Sequence, residues 1–359
     1  MSKLSEYVTN IVNPHQWAFD YTCGTMKPIV SFLIPFYNPG DRIFDCIESV
    51  LSQEGPEFEV VLVDNGSDDG TYDLVASRYR IHHRIRLAHE PQMGIAHALN
   101  TGLKWCSGKY IARMDADDIC LPGRMKKQVA HLESNPNVGL VSGLVRHQGD
   151  SASEGMAFYV EQINKLIKPD DIRNFRFIDS PFAHPSVMYK KELIDLYGGY
   201  NSNGLPEDYE LWLRWLEAGV VMEKINEEVL LWNDLTTRLS RNHPNYSREA
   251  FETARIPYLQ RWLRGNVRPD KPIFIWGGGK FSRQKAKLLE QAGVRIHGFI
   301  DVVDKGVVDG KPVIHFSRIP SPASIFILSS VSNRGKYQEI RDHLTSQGHT
   351  EGLDFILSS

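Results

Sequence analysis

Residues 29–51 read IVSFLIPFYNPGDRIFDCIESVL, and this stretch sets the fold expected for the N-terminal part of the chain. The run at 29–34 is continuously apolar and rich in β-branched residues, which predicts a buried strand. Pro39 and Gly40, which favour turns, separate this strand from the next element. The apolar residues that follow recur at helical spacing and predict an amphipathic helix; they are Ile43, Phe44, Ile47, Val50 and Leu51.

The same alternation continues downstream. The pattern predicts strands at 58–63, 84–88 and 110–114, with helices at 70–79 and 94–105 between them. Strands that alternate with helices form largely parallel sheets covered by helices on both faces, so the predicted fold class is α/β. Residues 136–219 are less regular, and there we predict a strand at 138–145, helices at 161–168 and 207–219, and a loop, strand and short helix within 181–200.

A second α/β unit is expected near the C-terminus. A strand at 271–276 runs into Gly277-Gly-Gly-Lys280, a helix reaches Ala292, and the next strand ends in Asp301. This is the outline of half a Rossmann unit, so Gly277, Gly279, Lys280 and Asp301 form a candidate ligand loop. Ser282 stands where the third glycine of the dinucleotide motif belongs, so NAD is not expected.

The composition indicates a globular protein of about two domains. The 359 residues are 42% hydrophobic and 24% charged, which excludes disordered, collagen-like and coiled-coil classes. The four cysteines lie far apart, so neither a disulfide framework nor a zinc site is indicated. The stretch MSKLSEYVTNIVNPHQ lacks the pattern of a signal peptide, and no apolar run is long enough to span a bilayer. We therefore expect a cytoplasmic protein without a transmembrane segment.

Positive charge is concentrated between Arg261 and Lys287, where eight basic residues face one acid, although the whole chain carries a net charge of −3. Such a segment fits either a polyanionic partner or a solvated linker and helix face.

Three predicted strands end in polar clusters. Strand 29–34 is followed by Pro35-Phe-Tyr-Asn-Pro-Gly40, strand 58–63 by Asp64-Asn-Gly-Ser-Asp-Asp-Gly70, and strand 110–114 by Asp115-Ala-Asp-Asp118. Each cluster alone is ordinary turn or capping chemistry. Together they place repelling carboxylates on one sheet edge, which is costly unless a cation or ligand neutralises them.

These clusters belong to an ordered set of motifs: Ile34–Asn38, Val63–Thr71, Gly94–Asn100, Met114–Asp118 with Pro122 and Arg124, His184–Ser186, and Pro206–Arg214. The set resembles the family 2 glycosyltransferases of the GT-A fold. The resemblance implies transfer of a sugar from a nucleotide diphosphate, most simply UDP-hexose, with a divalent cation (Mn or Mg) stabilising the departing diphosphate.

The resemblance also implies residue roles. Asp117 would hold the metal, and Asp208 would be the general base beside Glu207. The implied donor-binding residues are Pro35, Tyr37, Asp64, Gly94, Asp115 and Arg238, and the implied acceptor-binding residues are His184 and Trp212. Two acids at a helix start also have a simpler explanation, compensation of the helix dipole. One base and in-line attack would invert the anomeric centre.

The tail residues 275–280, 298–301, 312–316 and 351–355 resemble those in the tail of queuosine-tRNA galactosyltransferases and their bacterial homologues. The acceptor could therefore be a glycan or a tRNA nucleoside. We expect an N-terminal extension at 1–27, a GT-A catalytic domain at 28–245, a helical linker at 246–269 and a Rossmann-like domain at 270–359. Two alternatives remain open from the sequence: a non-catalytic scaffold that binds a nucleotide sugar or dinucleotide, and a sugar-phosphate nucleotidyltransferase.

Overall fold

The computed structural model describes residues 27–149, 154–235, 241, 243–330 and 336–358. The chain forms two compact units, each drawn from separate segments. Of the described residues, the first contains 27–149, 154–167, 182–202 and 221–235, and the second contains 168–181, 203–220, 241, 243–330 and 336–358. The division is therefore not linear: segments 168–181 and 203–220, inside the stretch expected to be the catalytic domain, group with the C-terminal unit.

An eight-stranded sheet, in the order β3-β2-β1-β4-β7-β6-β8-β5, organises the first unit. Its strands are β1 (Val30–Phe36), β2 (Phe58–Asp64), β3 (Ile85–His89), β4 (Tyr110–Arg113), β5 (Ile119–Cys120), β6 (Val138–Gln148), β7 (Met188–Lys190) and β8 (Val221–Asn233). The strands β3, β2, β1 and β4 run parallel, and β7 is antiparallel to both neighbours. All seven residues of β1 and of β2 are buried, as expected for parallel strands covered on both faces.

The helices of this unit are α1 (Arg42–Leu51), α2 (Thr71–Tyr79), α3 (Ile95–Trp105), α4 (Arg124–Ser134), α5 (Glu154–Asn164) and α7 (Glu192–Tyr197), with a short 3₁₀ helix at His184–Ser186. Helix α1 buries Ile43, Ile47 and Val50, which confirms the helical spacing seen in the sequence. The α/β class and its GT-A arrangement, a parallel sheet extended by mixed strands, are confirmed.

The second unit contains a six-stranded sheet in the order β11-β12-β10-β9-β13-β14. Its strands are β9 (Ile273–Trp276), β10 (Ile296–Asp301), β11 (Val307–Val308), β12 (Lys311–His315), β13 (Phe326–Ser329) and β14 (Phe355–Leu357). Its helices are α6 (Pro169–Phe175), α8 (Glu207–Glu217), α9 (Arg248–Asn266), α10 (Lys280–Gln291) and α11 (Lys336–Ser346), with 3₁₀ turns at Pro244–Tyr246 and Phe316–Arg318. None of the helices in the described ranges is long and apolar enough to cross a membrane.

Two local expectations were wrong or incomplete. The helix predicted at 161–168 is misplaced: α5 spans Glu154–Asn164, residues 165–168 are not helical, and the next helix, α6, begins at Pro169, because proline favours the first helical position. The long strand β8 was not predicted, because its central residues Asn226, Glu227 and Glu228 are polar and exposed, so the apolar signal is weak.

The basic segment between Arg261 and Lys287 is largely balanced by partners on the protein itself. Arg261 forms a two-pronged ion pair with Glu217 at 2.7 and 2.9 Å, and Lys271 contacts Asp354 at 2.9 Å. The remaining pairs are Arg264 with the Ala292 carbonyl, Arg268 with Asp270, Arg283 with Asp309, and Lys285 with Glu252. The surplus of charge therefore serves mainly to join elements of the second unit.

A buried charge network links helices α8, α9 and α10. Arg255 of α9 donates to the Tyr209 hydroxyl at 2.9 Å and to the Ile178 carbonyl at 3.1 Å. It also pairs with Glu252 at 2.8 Å, and Glu252 lies 3.2 Å from the Lys285 ammonium. Lys285 in turn donates to the Ser358 hydroxyl at 2.8 Å. Helix α8 is thus connected to the rest of the C-terminal unit by side chains that are almost completely buried.

Lys285 should make stability depend on pH. Burial, together with the nearby Arg255, lowers the pKa of Lys285 from 10.5 to about 7. Between these values the unfolded chain binds the proton and the folded chain does not, so the free energy of unfolding should rise with pH from about 7 to 10.

Lys285→Met should flatten that rise, since Glu252 keeps Arg255 as its partner. The measurement is urea denaturation at several pH values. Lys287→Met, which removes an exposed lysine from the same helix, is the control and should leave the slope unchanged. Equal slopes for the wild type and Lys285→Met would refute the prediction.

Candidate functional site

Three carboxylates meet at the exit of strand β4. Asp115, Asp117 and Asp118 each offer an oxygen within 4.8 Å of the others. The register aligns Leu33 of β1 with Arg113 of β4 and Pro35 of β1 with Val63 of β2, so the three strands end side by side. The predicted convergence of acidic strand exits on one sheet edge is therefore found in the structure.

The three aspartates are held differently. Asp115 forms an ion pair with Arg113, whose side chain is buried in the sheet, and the Asp115 carbonyl accepts from Cys46 Sγ at 3.1 Å. Asp118 is almost fully buried, and its Oδ1 accepts from the Asn233 N–H at 2.8 Å. The Asn233 side-chain amide donates to the Asp117 carbonyl at 2.6 Å. Asp115 and Asp117 are partly exposed.

The buried side chain of Arg124 is hydrogen-bonded to the backbone that leads into the same loop. Arg124, the first residue of α4, is fully buried and donates to the carbonyls of Arg113 at 2.9 Å and Pro185 at 2.7 Å. It also donates to Gln128 Oε1 at 3.0 Å and to the Val187 carbonyl at 3.2 Å. Arg124 therefore joins the end of β4 to the 3₁₀ turn that carries His184.

The exit of β2 is a turn built around Asp64. The Asp64 carboxylate accepts from the N–H groups of Gly66 and Ser67, both at 3.1 Å, and lies 2.8 Å from His89 Nδ1. Asp64 is 1% exposed, so its first role is to fix the turn. Next to it, Asn65 accepts from the Gly94 N–H at 2.8 Å and thereby positions the start of α3.

The exit of β1 lies against this turn. Pro35 is a buried residue of β1, whereas Tyr37 is 50% exposed. Asn38 joins the two loops: its side-chain amide donates to Asp68 at 2.6 Å, and its backbone N–H donates to Ser67 Oγ at 3.1 Å. Tyr37 is thus an accessible side chain at the end of a rigid strand.

The residues implied for the acceptor side are more buried than expected. His184 is 6% exposed, and its Nε2 lies 3.0 Å from the Tyr200 hydroxyl. The side-chain amide of Asn100 forms two hydrogen bonds with the backbone of Tyr200. Trp212 is fully buried in α8 beside Trp215. Trp212 is thus a packed, buried residue of α8, and its contact with an acceptor stays a prediction.

Glu207 and Asp208 form the first turn of α8, in the second unit. Glu207 is 3% exposed and accepts from the Tyr246 hydroxyl at 2.6 Å. Asp208 is more accessible, and its Oδ1 accepts from the Tyr209 N–H at 2.7 Å. The two acids thus differ: one is held in place, and its neighbour reaches the surface. Arg238 lies outside the described residues.

In the C-terminal loop, Gly277 follows β9, Gly279 precedes α10, and Lys280 is the exposed first residue of that helix. Asp301, at the end of β10, accepts from the Gly278 N–H at 2.8 Å and from Lys305 Nζ at 2.7 Å. The structure therefore brings the predicted loop and Asp301 together.

The cluster at the β4 exit has the donors that a hard divalent cation takes. Mn²⁺ and Mg²⁺ bind carboxylate oxygens, and three such oxygens are grouped here on a backbone fixed by Asn233, Cys46 and Arg124. In the sequence, Arg124 appears only as part of a motif, and Asn233 was not predicted to belong to the site. Asn233 lies 115 residues from Asp118 and has no local signature, so no sequence signal identifies it.

Asp118 should be structural. Asp118→Ala removes the acceptor of the Asn233 N–H, so we expect a loss of about 1–3 kcal/mol in the free energy of unfolding. Asp118→Asn keeps an oxygen at that position and should lose much less. Denaturant unfolding of the three proteins measures the difference, and an unchanged midpoint for Asp118→Ala would contradict the assignment.

Known proteins resemble this chain over the same region. The family described as glycosyl transferase family 2 matches residues 31–197. The amylovoran biosynthesis glycosyltransferase AmsE of Erwinia amylovora is 34% identical over 193 residues, which cover 53% of this chain and 70% of AmsE. The putative glycosyltransferase EpsE of Bacillus subtilis is 32% identical over 209 residues, covering 54% of this chain and 68% of EpsE.

A solved structure shares the fold. S. aureus TarS 1–349 in complex with UDP-GlcNAc matches with a TM-score of 0.53 and 17% identity, over 74% of this chain and 71% of TarS. Agreement of sheet, strand-exit motifs and sequence relatives leads to one assignment: this chain belongs to glycosyl transferase family 2 and is a glycosyltransferase of the GT-A fold.

Proposed function

We propose that this glycosyltransferase moves a hexose from UDP-hexose to an acceptor hydroxyl, with inversion and with help from a divalent cation. The observation that carries the proposal is the group of three aspartates at the exit of β4, next to the Asp64 turn. TarS was solved with UDP-GlcNAc, and we propose the same class of donor here.

Asp117 would hold the metal, with Asp115 beside it. When bound, the cation neutralises charge on the departing diphosphate and does so without proton transfer. Arg113 fixes the Asp115 carboxylate, and Asn233 fixes the backbone of Asp117. These contacts order the Asp115 carboxylate and the backbone that carries Asp117.

Residues at the exits of β1 and β2 would bind the nucleoside. Pro35 and Gly94 shape the backbone of this region, and Asp64 holds the turn between them. Tyr37 is exposed and can lie against a planar base.

Asp208 would act as the general base. It takes the proton of the acceptor hydroxyl as the oxygen attacks the anomeric carbon, while the bond from that carbon to the diphosphate oxygen breaks and its electron pair leaves with the diphosphate. Attack opposite the leaving group inverts the anomeric centre. Glu207, held by Tyr246, would orient the base or the acceptor.

The acceptor hydroxyl would belong to a glycan or to a tRNA nucleoside. AmsE is named for amylovoran biosynthesis, which favours a glycan, whereas the resemblance of the tail favours a tRNA nucleoside. Transfer from a radiolabelled donor to each acceptor class separates the two.

Asp117→Asn tests the metal. It should abolish metal-dependent release of UDP and weaken Mn²⁺ binding, measured by the Mn²⁺ signal in electron paramagnetic resonance, because a ligand charge is lost. EDTA should abolish turnover of the wild type, and added Mn²⁺ or Mg²⁺ should restore it. Asp73→Asn, which alters an exposed acid of α2, is the matched control. Full turnover by metal-free protein would refute this part of the proposal.

Asp208→Asn tests the base. The substitution keeps shape and removes basicity, so kcat should fall by about 10²–10⁴ while donor binding stays nearly constant. Glu249→Gln, an exposed first-turn acid of α9, is the control for helix-dipole effects, which are worth about 0.3–1 kcal/mol. If Asp208→Asn keeps its kcat and loses only stability, Asp208 is a helix-start charge and not the base.

A further inference from the structure

The C-terminal sheet has a point at which its strand order reverses. Strand β9 is central: the chain proceeds to β10 and β12 on one side, then returns to β13 and β14 on the other. In open parallel sheets, ligands bind outside the carboxyl ends of the strands at such a reversal. Here the reversal lies between β9 and β13, which are parallel and aligned from Phe326 with Ile273 to Ser329 with Trp276.

The loop that leaves β9 at this point is shaped by its glycines. Gly277 has a φ of +113°, and a Cβ there would lie 2.5 Å from Ser282 Oγ, so a side chain is excluded. At Gly279, by contrast, a Cβ would meet nothing within 4 Å. The loop is therefore tightly built at its start and open where α10 begins.

Helix α10 begins without a capping side chain and without an acid in its first turn. The first N–H groups of a helix have no partner within the helix and carry partial positive charge, so they favour an anion. Lys280, exposed at the first position, adds a full charge.

A buried hydroxyl points to the same place. Ser330 is 3% exposed, and its Oγ has no hydrogen-bond partner among the described residues. Phe326 and Leu328 belong to the core shared with Ala286 of α10, and side chains alternate along a strand, so Ser330 lies on the α10 face. Ser282, in the first turn of α10, donates to the Ser330 carbonyl at 2.9 Å, which places Ser330 at the start of that helix.

The opposite face of the same edge repeats this pattern. Ser329 is 1% exposed and its Oγ likewise has no partner among the described residues. His343 Nε2 is also buried and unpartnered within the described ranges, and the His343 ring packs edge-on against Trp276, the last residue of β9. Unpaired buried polar atoms are rare in folded proteins. Ser329 is the last residue of β13 and Ser330 follows it, so two of these three atoms lie at the exit of β13 and the third lies against β9.

We infer that the edge formed by Gly277–Gly279, the first turn of α10 and Ser330 is a second ligand site, which binds the phosphate group of a small phosphate-bearing molecule. The phosphate would accept from the N–H groups of α10 and from the Ser330 hydroxyl. This site uses other residues than the proposed donor site and does not depend on transfer chemistry.

The hydrogen bonds of Asp301 argue against a dinucleotide as the ligand of this site. An acid in this position would hold ribose hydroxyls in a dinucleotide site. Here its carboxylate accepts from Gly278 N–H, Val303 N–H and Lys305 Nζ, at 2.8, 3.0 and 2.7 Å. Burial raises the pKa of Asp301, but these hydrogen bonds outweigh it and lower the pKa overall. Asp301 therefore holds the loop, and phosphate recognition falls to α10 and Ser330.

The test is thermal unfolding of the full chain in EDTA with increasing inorganic phosphate, with chloride as the ionic-strength control. Phosphate should raise the wild-type Tm in a saturable way. Gly279→Asp should raise the Tm without phosphate, since Asp caps helices well, and should abolish the phosphate effect. Gly279→Ala, whose Cβ has open space, should keep it. Ser330→Ala should weaken phosphate binding about tenfold, as expected for loss of a charge-assisted hydrogen bond.

Asp117→Asn must leave the phosphate effect intact, so that failure of the proposed catalytic function and failure of this site are told apart. Ribose 5-phosphate and UMP are compared in the same assay on the wild type and on Gly279→Asp, and only the Tm shift that Gly279→Asp abolishes is assigned to this site, because the proposed donor site would also bind UMP. By that measure, tighter binding of UMP indicates a nucleotide, and equal binding indicates a sugar phosphate. The inference is overturned if phosphate gives no shift beyond chloride, or if Gly279→Asp responds to phosphate as the wild type does.

Discussion

The buried guanidinium of Arg124 is the interaction on which the candidate site depends most. Among the described residues it has no carboxylate partner, and it donates to three backbone carbonyls, those of Arg113, Pro185 and Val187. A buried charge without water is costly, and burial lowers the pKa of Arg124. That cost is offset only while β4, α4 and the 3₁₀ turn keep their present places. The same bonds fix the level at which the aspartate loop leaves the sheet.

Above this support, the loop gains order from residues distant in sequence. Asn233 at the end of β8 bonds Asp117 and Asp118, Cys46 of α1 bonds Asp115, and Arg113 pairs with Asp115. Each contact restricts one member of the acidic cluster, so mutually repelling carboxylates stay together in the folded chain. Preorganisation of this kind lowers the cost of ordering the site when a ligand binds.

The second unit contains helix α8 in addition to the C-terminal sheet. Helix α8, which carries Glu207 and Asp208, is bound to α9 through Tyr209 and Arg255, and the network continues through Glu252 to Lys285 of α10. Residues 203–220 thus fold with the C-terminal sheet although the sequence places them among catalytic-domain motifs. A linear boundary near residue 245 overlooks this, because buried charge pairs between distant segments leave no periodic signal in the sequence.

The sequence alone determined the alternation of strands and helices, because apolar periodicity reflects which faces are buried, and β1, β2 and α1 follow it closely. It also determined that the acidic loops share one edge, since parallel strands must end together. Only the tertiary structure decided which partners the acidic side chains have. In the folded chain, Asp118 accepts a hydrogen bond from Asn233, and Asp64 accepts hydrogen bonds within its own turn. Asp301 accepts from Gly278 and Lys305, and Trp212 is buried. The physical reason is that the identity of a polar residue does not tell whether its side chain faces solvent or a buried N–H. Its partner depends on the packing of residues up to 115 positions away in the sequence.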